Sequence, residues 1–386
     1  MKTSEPTIDA VRFWFTLALT PGIGRALVRT LIDEPETPRD LHAFAERLAP
    51  HNAGLACALI APPDALRAAL DASLAWSLGH DCHLITLDHP DYPALLRQIA
   101  DPPPVLHVHG QRDALKKSAL AIVGSRNATL DGLRSARSMS SELAREGLAI
   151  ASGLAAGIDH AAHLGALDAL GVSLAVIGTG IDECYPSAHR TTATRIAERG
   201  AVISELPLGS QALPHHFPRR NRIIAGLSAG ILVVQAARRS GSLITARLGL
   251  DYGREVMAIP GPVQSPLHKG CHQLLREGAA LVESSEDIWE AIGGGWLGRR
   301  SDPAAVTAPA RQDGALSLEH APSGSGPFAH PGRRLLEPWG WCPFEPEAFA
   351  AHAELTAGQA AQILLELELD GAIERLADGR LQRVER

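Results

Sequence analysis

The side chains best suited to chemistry are the arginines between residues 214 and 254, where seven of them meet one acid, Asp251. Three sit in the run His216-Phe217-Pro218-Arg219-Arg220-Asn221-Arg222-Ile223-Ile224-Ala225-Gly226. A guanidinium is planar and presents paired donors that match a phosphate, and Asn221 adds a neutral donor and acceptor. Phe217 offers a face on which a nucleic-acid base can stack, worth roughly 1–3 kcal/mol per base. Pro218 suits the opening of a helix, which puts Arg219, Arg220 and Arg222 in its first two turns. Cations oppose the helix dipole there, so a solvated basic face explains them poorly and a bound anion explains them well. Arg238-Arg239-Ser240-Gly241-Ser242-Leu243-Ile244-Thr245 repeats the theme, with a Gly-Ser turn opening a second helix.

Such residues need a frame. From residue 118 to about 292, short continuous apolar runs alternate with amphipathic stretches. Strands are expected at 120–123, 148–151, 174–177, 201–203, 231–234 and 256–259, with helical pattern between most neighbours. Buried strands joined by helices mean parallel pairing with right-handed crossovers, hence a doubly wound α/β sheet. Ligands of such sheets bind beyond the carboxyl ends of the strands. Here those ends read Val123-Gly124-Ser125-Arg126-Asn127, Ala151-Ser152-Gly153-Leu154, Ile177-Gly178-Thr179-Gly180, Ser204-Glu205 and Pro260-Gly261. Small residues admit a ligand, and the N–H groups of the following helices attract phosphate. One such turn is ordinary strand-to-helix geometry; several along one edge point to an anion-binding edge.

Familiar nucleotide and catalytic motifs are missing or misplaced. No GxxxxGK[ST] is present, and the nearest run, Gly294 to Ser301, has Arg299 and Arg300 where Gly and Lys are needed. Gly178-Thr179-Gly180 does not complete a GxGxxG. Gly226-Leu227-Ser228-Ala229-Gly230 matches GxSxG, but a helix precedes it and a strand follows, the reverse of a nucleophile elbow. Asp159, His160 and His163 lack a third motif that would make them metal ligands, so a helix-surface histidine pair with hydrogen-bonding duties is expected.

Residues 1–80 read as an all-helical domain, 81–292 as the α/β domain with an extended Pro- and His-rich lead-in over 81–115, 293–331 as a Gly/Pro/Ala/Ser linker, and 332–386 as a small terminal module. The 386 residues carry a net charge of −7, but the average hides local contrast: residues 345–386 hold nine acids against four Arg. Screening at physiological salt acts within ~8 Å, so local charge matters more than the sum. The five cysteines form no CxxC pair, no uncharged apolar run reaches 18 residues, and the N-terminus lacks the order of a secretory signal, so a cytoplasmic location is expected.

In combination these residues resemble the DprA (Smf) family. The resemblance rests on Gly124-Ser125-Arg126, Ser152-Gly153-Leu154-Ala155-x-Gly157-Ile158-Asp159-x-x-Ala162-His163, Phe217-Pro218-x-Arg220-Asn221-Arg222 and Ser240-Gly241-Ser242-Leu243-Ile244-Thr245-Ala246. Pro260-Gly261 and Lys269-Gly270-Cys271-His272-Gln273-Leu274 extend it, and Gly249 departs from it where Ala is expected. The resemblance implies an extended Rossmann-like domain flanked by an N-terminal sterile-alpha-motif-like helical domain and a C-terminal winged helix. It implies a protein that binds single-stranded DNA, protects incoming strands in natural transformation, loads the RecA recombinase, and self-associates as a dimer through the Rossmann-like part. No cofactor, metal or catalytic residue is then needed.

The DNA ligands expected on this basis are Arg126, Arg220 and Arg222 for phosphates, with Lys269 beside them. Gly124, Ser125, Ser152, Gly153, Asn221, Ser240, Gly241 and Ser242 are expected to supply hydrogen bonds, and Phe217 the stacking face. Thr20-Pro21-Gly22-Ile23-Gly24 reads as a helix-hairpin-helix turn that holds a phosphate, or as a packing hairpin, which the acidity of the segment favours. The acidic tail reads as a protein-contact module. The competing reading is a nucleotide-binding or nucleotide-cleaving enzyme using Glu205 and Asp182, although the Gly-Gly-x-Gly-Thr run of phosphoribohydrolase-type enzymes is absent.

Overall fold

Runs such as Ala119-Leu120-Ala121-Ile122-Val123 bury every side chain, as a strand covered on both faces does. The computed structural model describes residues 7–23, 25–33, 40–293, 336, 343–353, 355–369, 371–376 and 379–383. The strands are β1 (Cys82–Thr86), β2 (Val105–Gly110), β3 (Ala119–Val123), β4 (Ala149–Ser152), β5 (Ser173–Val176), β6 (Ala201–Ser204), β7 (Gly230–Val233), β8 (Glu255–Ala258) and β9 (Ala280–Leu281). They form one sheet in the order β1-β2-β6-β5-β4-β3-β7-β8-β9. The seven strands from β6 to β9 in that order are parallel, while β2 joins β6 antiparallel and β1 joins β2 antiparallel. The six expected strands are present within a residue of their expected ends. The sheet is nevertheless larger, because β1, β2 and β9 were not foreseen and the lead-in is a hairpin rather than a merely extended segment.

The helices are α1–α5 (Ile8–Leu19, Arg25–Asp33, Leu41–Leu48, Ala53–Ile60, Asp64–Trp76), α6 (Ala94–Arg97), α7 (Leu130–Arg145), α8 (Ile158–Asp168), α9 (Arg190–Arg199), α10 (His216–Leu227), α11 (Ser242–Asp251), α12 (Lys269–Arg276) and α13 (Ser285–Ala291). One sheet face, with Val123, Ile231 and Val233, is covered by Ile223 and Ile224 of α10 and Leu243 and Ala246 of α11. The other, with Ala175, Ile177 and Val202, meets Leu167 of α8 and Ile196 of α9.

The N-terminal helices share the first of these cores. Phe13, Trp14, Phe15 and Leu17 of α1 are buried in the same cluster as Leu84, Ile85 and Leu106 of the added hairpin. His107 of β2 is the joint: its Nε2 lies 3.0 Å from Ser73 Oγ of α5, and the rings of Phe15 and Trp76 meet it at 6.1 and 5.7 Å. Burial lowers its pKa to about 4, so it is neutral in the fold. Residues 1–292 thus form one compact unit and 293–386 another. In the second unit, α14 (Pro346–His352) and α15 (Ala357–Leu369) precede a hairpin of β10 (Ile373–Arg375) and β11 (Leu381–Arg383), and Phe344 bridges to Leu381. Helix, helix, then a β-hairpin wing is the winged-helix order. Nearly all of the expected linker, Gly24 of the expected hairpin and Ala377 and Asp378 of the expected wing lie outside the described residues.

Candidate nucleic-acid interface

The central strand β3 feeds α7 and then β4 on one side, whereas its other neighbour β7 feeds α11 and then β8 on the opposite side. Chains leaving in opposite directions open a crevice at the carboxyl ends. A cavity of about 620 Å³ lies there. Gly124, Ser125 and Arg126 line it from the end of β3, Phe217, Arg220 and Asn221 from α10, and Arg239, Ser240, Gly241 and Ser242 from the turn before α11. Nine of the thirteen expected ligand residues therefore converge on one cavity.

Phe217 forms an aromatic wall. Its ring centroid is 5.6 Å from that of Tyr185, and the guanidinium carbons of Arg126 and Arg220 lie 5.5 and 6.0 Å from it. Gly178 makes room for the ring, since a Cβ there would meet Phe217 at 3.0 Å. Arg126 and Arg239 are exposed, and among the described residues neither has a carboxylate within ion-pairing distance. Ser240 and Ser242 hydroxyls bond each other at 2.7 Å.

Arg220 is only 5% exposed. Its Nη1 donates to the carbonyl oxygens of Gly153, at 2.6 Å, and Val176, and its Nε donates to Asn221 Oδ1 at 3.2 Å. Burial lowers its pKa to about 10, against the opposing pull of Asp159 and with a further push from Arg126. Asp159 accepts from the Gly153 N–H at 3.1 Å, and burial raises its pKa while Arg220 holds it down. A Cβ on Gly153 would lie 2.6 Å from both Arg220 Nη2 and Asp159 Oδ2, so glycine is required between these two charges. Arg220 is thus a buried strut in the cavity floor, still charged at neutral pH.

Four expected ligands lie elsewhere. Arg222 is buried and ion-paired with Glu205 and Asp101, because α10 turns it away from the cavity. Ser152 is fully buried and donates to Ile122 O at 2.7 Å. Gly153 is buried and its main chain is taken by Asp159 and Arg220. Lys269 does not line the cavity; its Nζ donates to Val263 O. The helix also begins at His216, so Pro218 sits in its first turn rather than at its first position. His163 is not a surface residue: it is fully buried, with Nδ1 2.7 Å from Ser173 Oγ and Nε2 accepting from the Leu154 N–H, and burial lowers its pKa to about 3. His160 keeps its expected hydrogen bond, Nε2 lying 3.0 Å from Thr192 Oγ1, and its ring stacks on His189 at 3.9 Å. No group of three metal-ligating side chains occurs among the described residues.

Tyr185, Arg239 and Ile244 were not among the expected ligands. Arg239 adjoins the Gly-Ser turn, which was its available signal; Tyr185 carries none, because it reaches Phe217 only through the fold.

A cationic, aromatic-walled cavity at the switch point of a Rossmann-like sheet defines a protein built to hold phosphate-bearing ligands. The family sequence model described as DNA recombination-mediator protein A matches residues 83–293, and that of the DprA winged helix domain matches 321–379, beginning inside the stretch read as linker. Protein Smf of Escherichia coli is 40% identical over 322 residues, 82% of each chain. DNA processing protein DprA of Streptococcus pneumoniae is 47% identical over 197 residues, 51% of this chain and 70% of that one. The X-ray structure of DprA from Streptococcus pneumoniae aligns with a TM-score of 0.64 at 34% identity, over 74% of this chain and 98% of that one. The chain belongs to the DprA (Smf) family.

Proposed function

We propose that the protein binds single-stranded DNA along the carboxyl edge of its sheet and delivers it to a RecA-type recombinase. The observation that carries this reading is the pair of exposed guanidiniums, Arg126 and Arg239, without a carboxylate partner among the described residues, at a cavity walled by Phe217 and Tyr185. Arg126 and Arg239 take phosphates, and Arg220 adds positive charge from below. Ser125, Asn221 and the Ser240-Gly241-Ser242 turn hydrogen-bond the backbone. A base must leave its stack to meet Phe217, which favours single strands over duplex. Membership of the family supports the recombinase hand-over and a homodimer through the Rossmann-like domain.

The enzyme reading places Glu205 and Asp182 in the pocket. Neither lines it: Glu205 is paired with Arg222 and Arg219, and Asp182 accepts from the Gly209 N–H at 2.9 Å. The deciding experiment is a salt series of binding to single-stranded DNA, duplex DNA and mononucleotides. Tight, salt-sensitive binding to single strands is expected. Binding restricted to a small nucleotide, with turnover, overturns the reading in favour of the enzyme.

A further inference from the structure

Arg126 stands on a short loop, yet its guanidinium is held over the Phe217 ring at 5.5 Å. The loop between β3 and α7 runs from Gly124 to Thr129, and one residue just past β7 grips Ser125 near its start and Thr129 at its end. The main-chain oxygen of Gln235 accepts from the Ser125 N–H at 2.7 Å. Its side-chain Oε1 accepts from the Thr129 N–H at 3.0 Å, and its Nε2 donates to Thr129 Oγ1 at 2.8 Å. Thr129 in turn caps α7, its Oγ1 accepting from the Gly132 N–H at 3.1 Å.

The amide is fully used. A backbone N–H must meet the oxygen, so the amide orientation is fixed, and the remaining Nε2 hydrogen faces His268 Nε2 at 3.4 Å. His268 Nδ1 lies 2.9 Å from Ser265 Oγ, and burial lowers its pKa to about 4, so the imidazole is neutral and can accept from the amide. Two glycines clear the way. A Cβ on Gly124 would meet Gln235 O at 2.9 Å, and one on Gly132 would meet the Gln235 amide carbon at 2.5 Å. Gln235 itself is 2% exposed and does not line the cavity.

We propose that Gln235 is the positioning residue of the DNA site, stapling both ends of the Ser125–Thr129 stretch so that Arg126 is fixed over Phe217. This rests on the single-strand reading of the cavity. Gln235 touches no ligand; its main-chain oxygen holds Ser125 whatever the side chain, so its amide acts through Arg126.

The test is binding of a fluorescently labelled oligothymidylate by the full chain, in a double-mutant cycle. Gln235→Leu weakens binding about threefold to tenfold, in the lower part of the coupling found within one hydrogen-bond network, and adds nothing in an Arg126→Ala background. Gln235→Glu keeps the acceptor for the Thr129 N–H but puts a buried oxygen where both Nε2 donors stood, so it weakens binding as Gln235→Leu does, and again only while Arg126 is present. Should Gln235→Leu fail to fold, Gly132→Ala displaces the same amide. That substitution raises helix propensity and still weakens binding, again only while Arg126 is present. Equal losses with and without Arg126, or no loss from Gln235→Leu or Gly132→Ala where Arg126→Ala has one, overturn the proposal. If Arg126→Ala itself has no effect, the single-strand reading fails first and this inference falls with it.

Discussion

Arg126 and Arg239 stand on loops with open guanidiniums, while Arg220 and Arg222, two residues apart on α10, have theirs enclosed by protein. Arg220 is engaged by two main-chain carbonyls and faces the buried Asp159; Arg222 is engaged by Glu205 and Asp101. The four residues are chemically identical and lie around one end of one sheet. What separates them is whether the protein's own acceptors reach the guanidinium before a ligand can. A buried arginine with satisfied donors organises the fold, and an exposed arginine with none is available to phosphate.

The largest effect therefore belongs to the enclosed pair, and it appears in stability. Arg222→Ala leaves Glu205 buried with only the more distant Arg219, and Arg220→Ala removes two buried hydrogen bonds and the countercharge of Asp159. Breaking a buried charged group in this way costs about 3–5 kcal/mol. The thermal midpoint of each variant should fall by roughly 5–15 °C for a unit of this size. Wild-type melting with weakened DNA binding would erase the distinction and return both residues to the phosphate-binding set.

The open pair should behave in the opposite way. Arg126→Ala with Arg239→Ala leaves the melting midpoint unchanged and weakens single-strand binding by roughly 100-fold, two charged hydrogen bonds at about 1.5 kcal/mol each. The slope of log affinity against log salt shifts by ~0.7 for each single-strand phosphate that is no longer neutralised. An unchanged slope in the double variant would show that these cations sit in solvent and touch no phosphate.

Phe217→Ala sharpens the contrast by separating stacking from charge. Stacking a base on the ring is worth roughly 1–3 kcal/mol and releases no counterions, so affinity falls while the salt slope stays close to wild type. A slope change here would mean that Arg126, which lies over the ring, is displaced along with it.

The division between the two pairs was not readable from the chain alone, and the reason is long-range geometry. Arg220, Asn221 and Arg222 are adjacent in sequence, and spacing marked them equally. The acceptors that enclose Arg220 come from Gly153 and Val176, 67 and 44 positions away. Arg222 is met by Glu205 and by Asp101, whose carbonyl is 121 positions away. The six central strands were readable because each is a continuous apolar run buried on both faces. β2 was not, because His107 and His109 break its pattern; the burial of His107, with Ser73 of α5 at its Nε2, comes from the fold. The cavity was foreseen because its Gly and Ser turns follow strands directly. Tyr185 was missed because nothing local distinguishes an aromatic that faces a site from one that packs.

The smallest expected effect concerns the second compact unit. Residues 345–386 carry nine acids and four Arg, a local excess of negative charge that opposes a phosphate backbone. Its winged-helix core is closed by Phe344, Phe349, Leu364, Leu367, Ile373 and Leu381, independently of the sheet. Of its arginines, Arg375 is already within 3.2 Å of Glu368, which further reduces what the unit can offer to DNA. Deleting everything after Gly294 cuts beyond the boundary of the first unit, so the sheet, the cavity and all four arginines remain. Single-strand affinity should stay unchanged, or rise slightly at low salt where unscreened repulsion is strongest. Any loss should appear instead in recombinase loading, where an acidic module can meet a protein partner, while a dimer made through the Rossmann-like domain persists. A large drop in DNA affinity, in a truncated chain shown by circular dichroism to be folded, would extend the comparison to a third set of arginines. Arg375, Arg380, Arg383 and Arg386 would then have to converge on a DNA-facing surface that outweighs the acids around them.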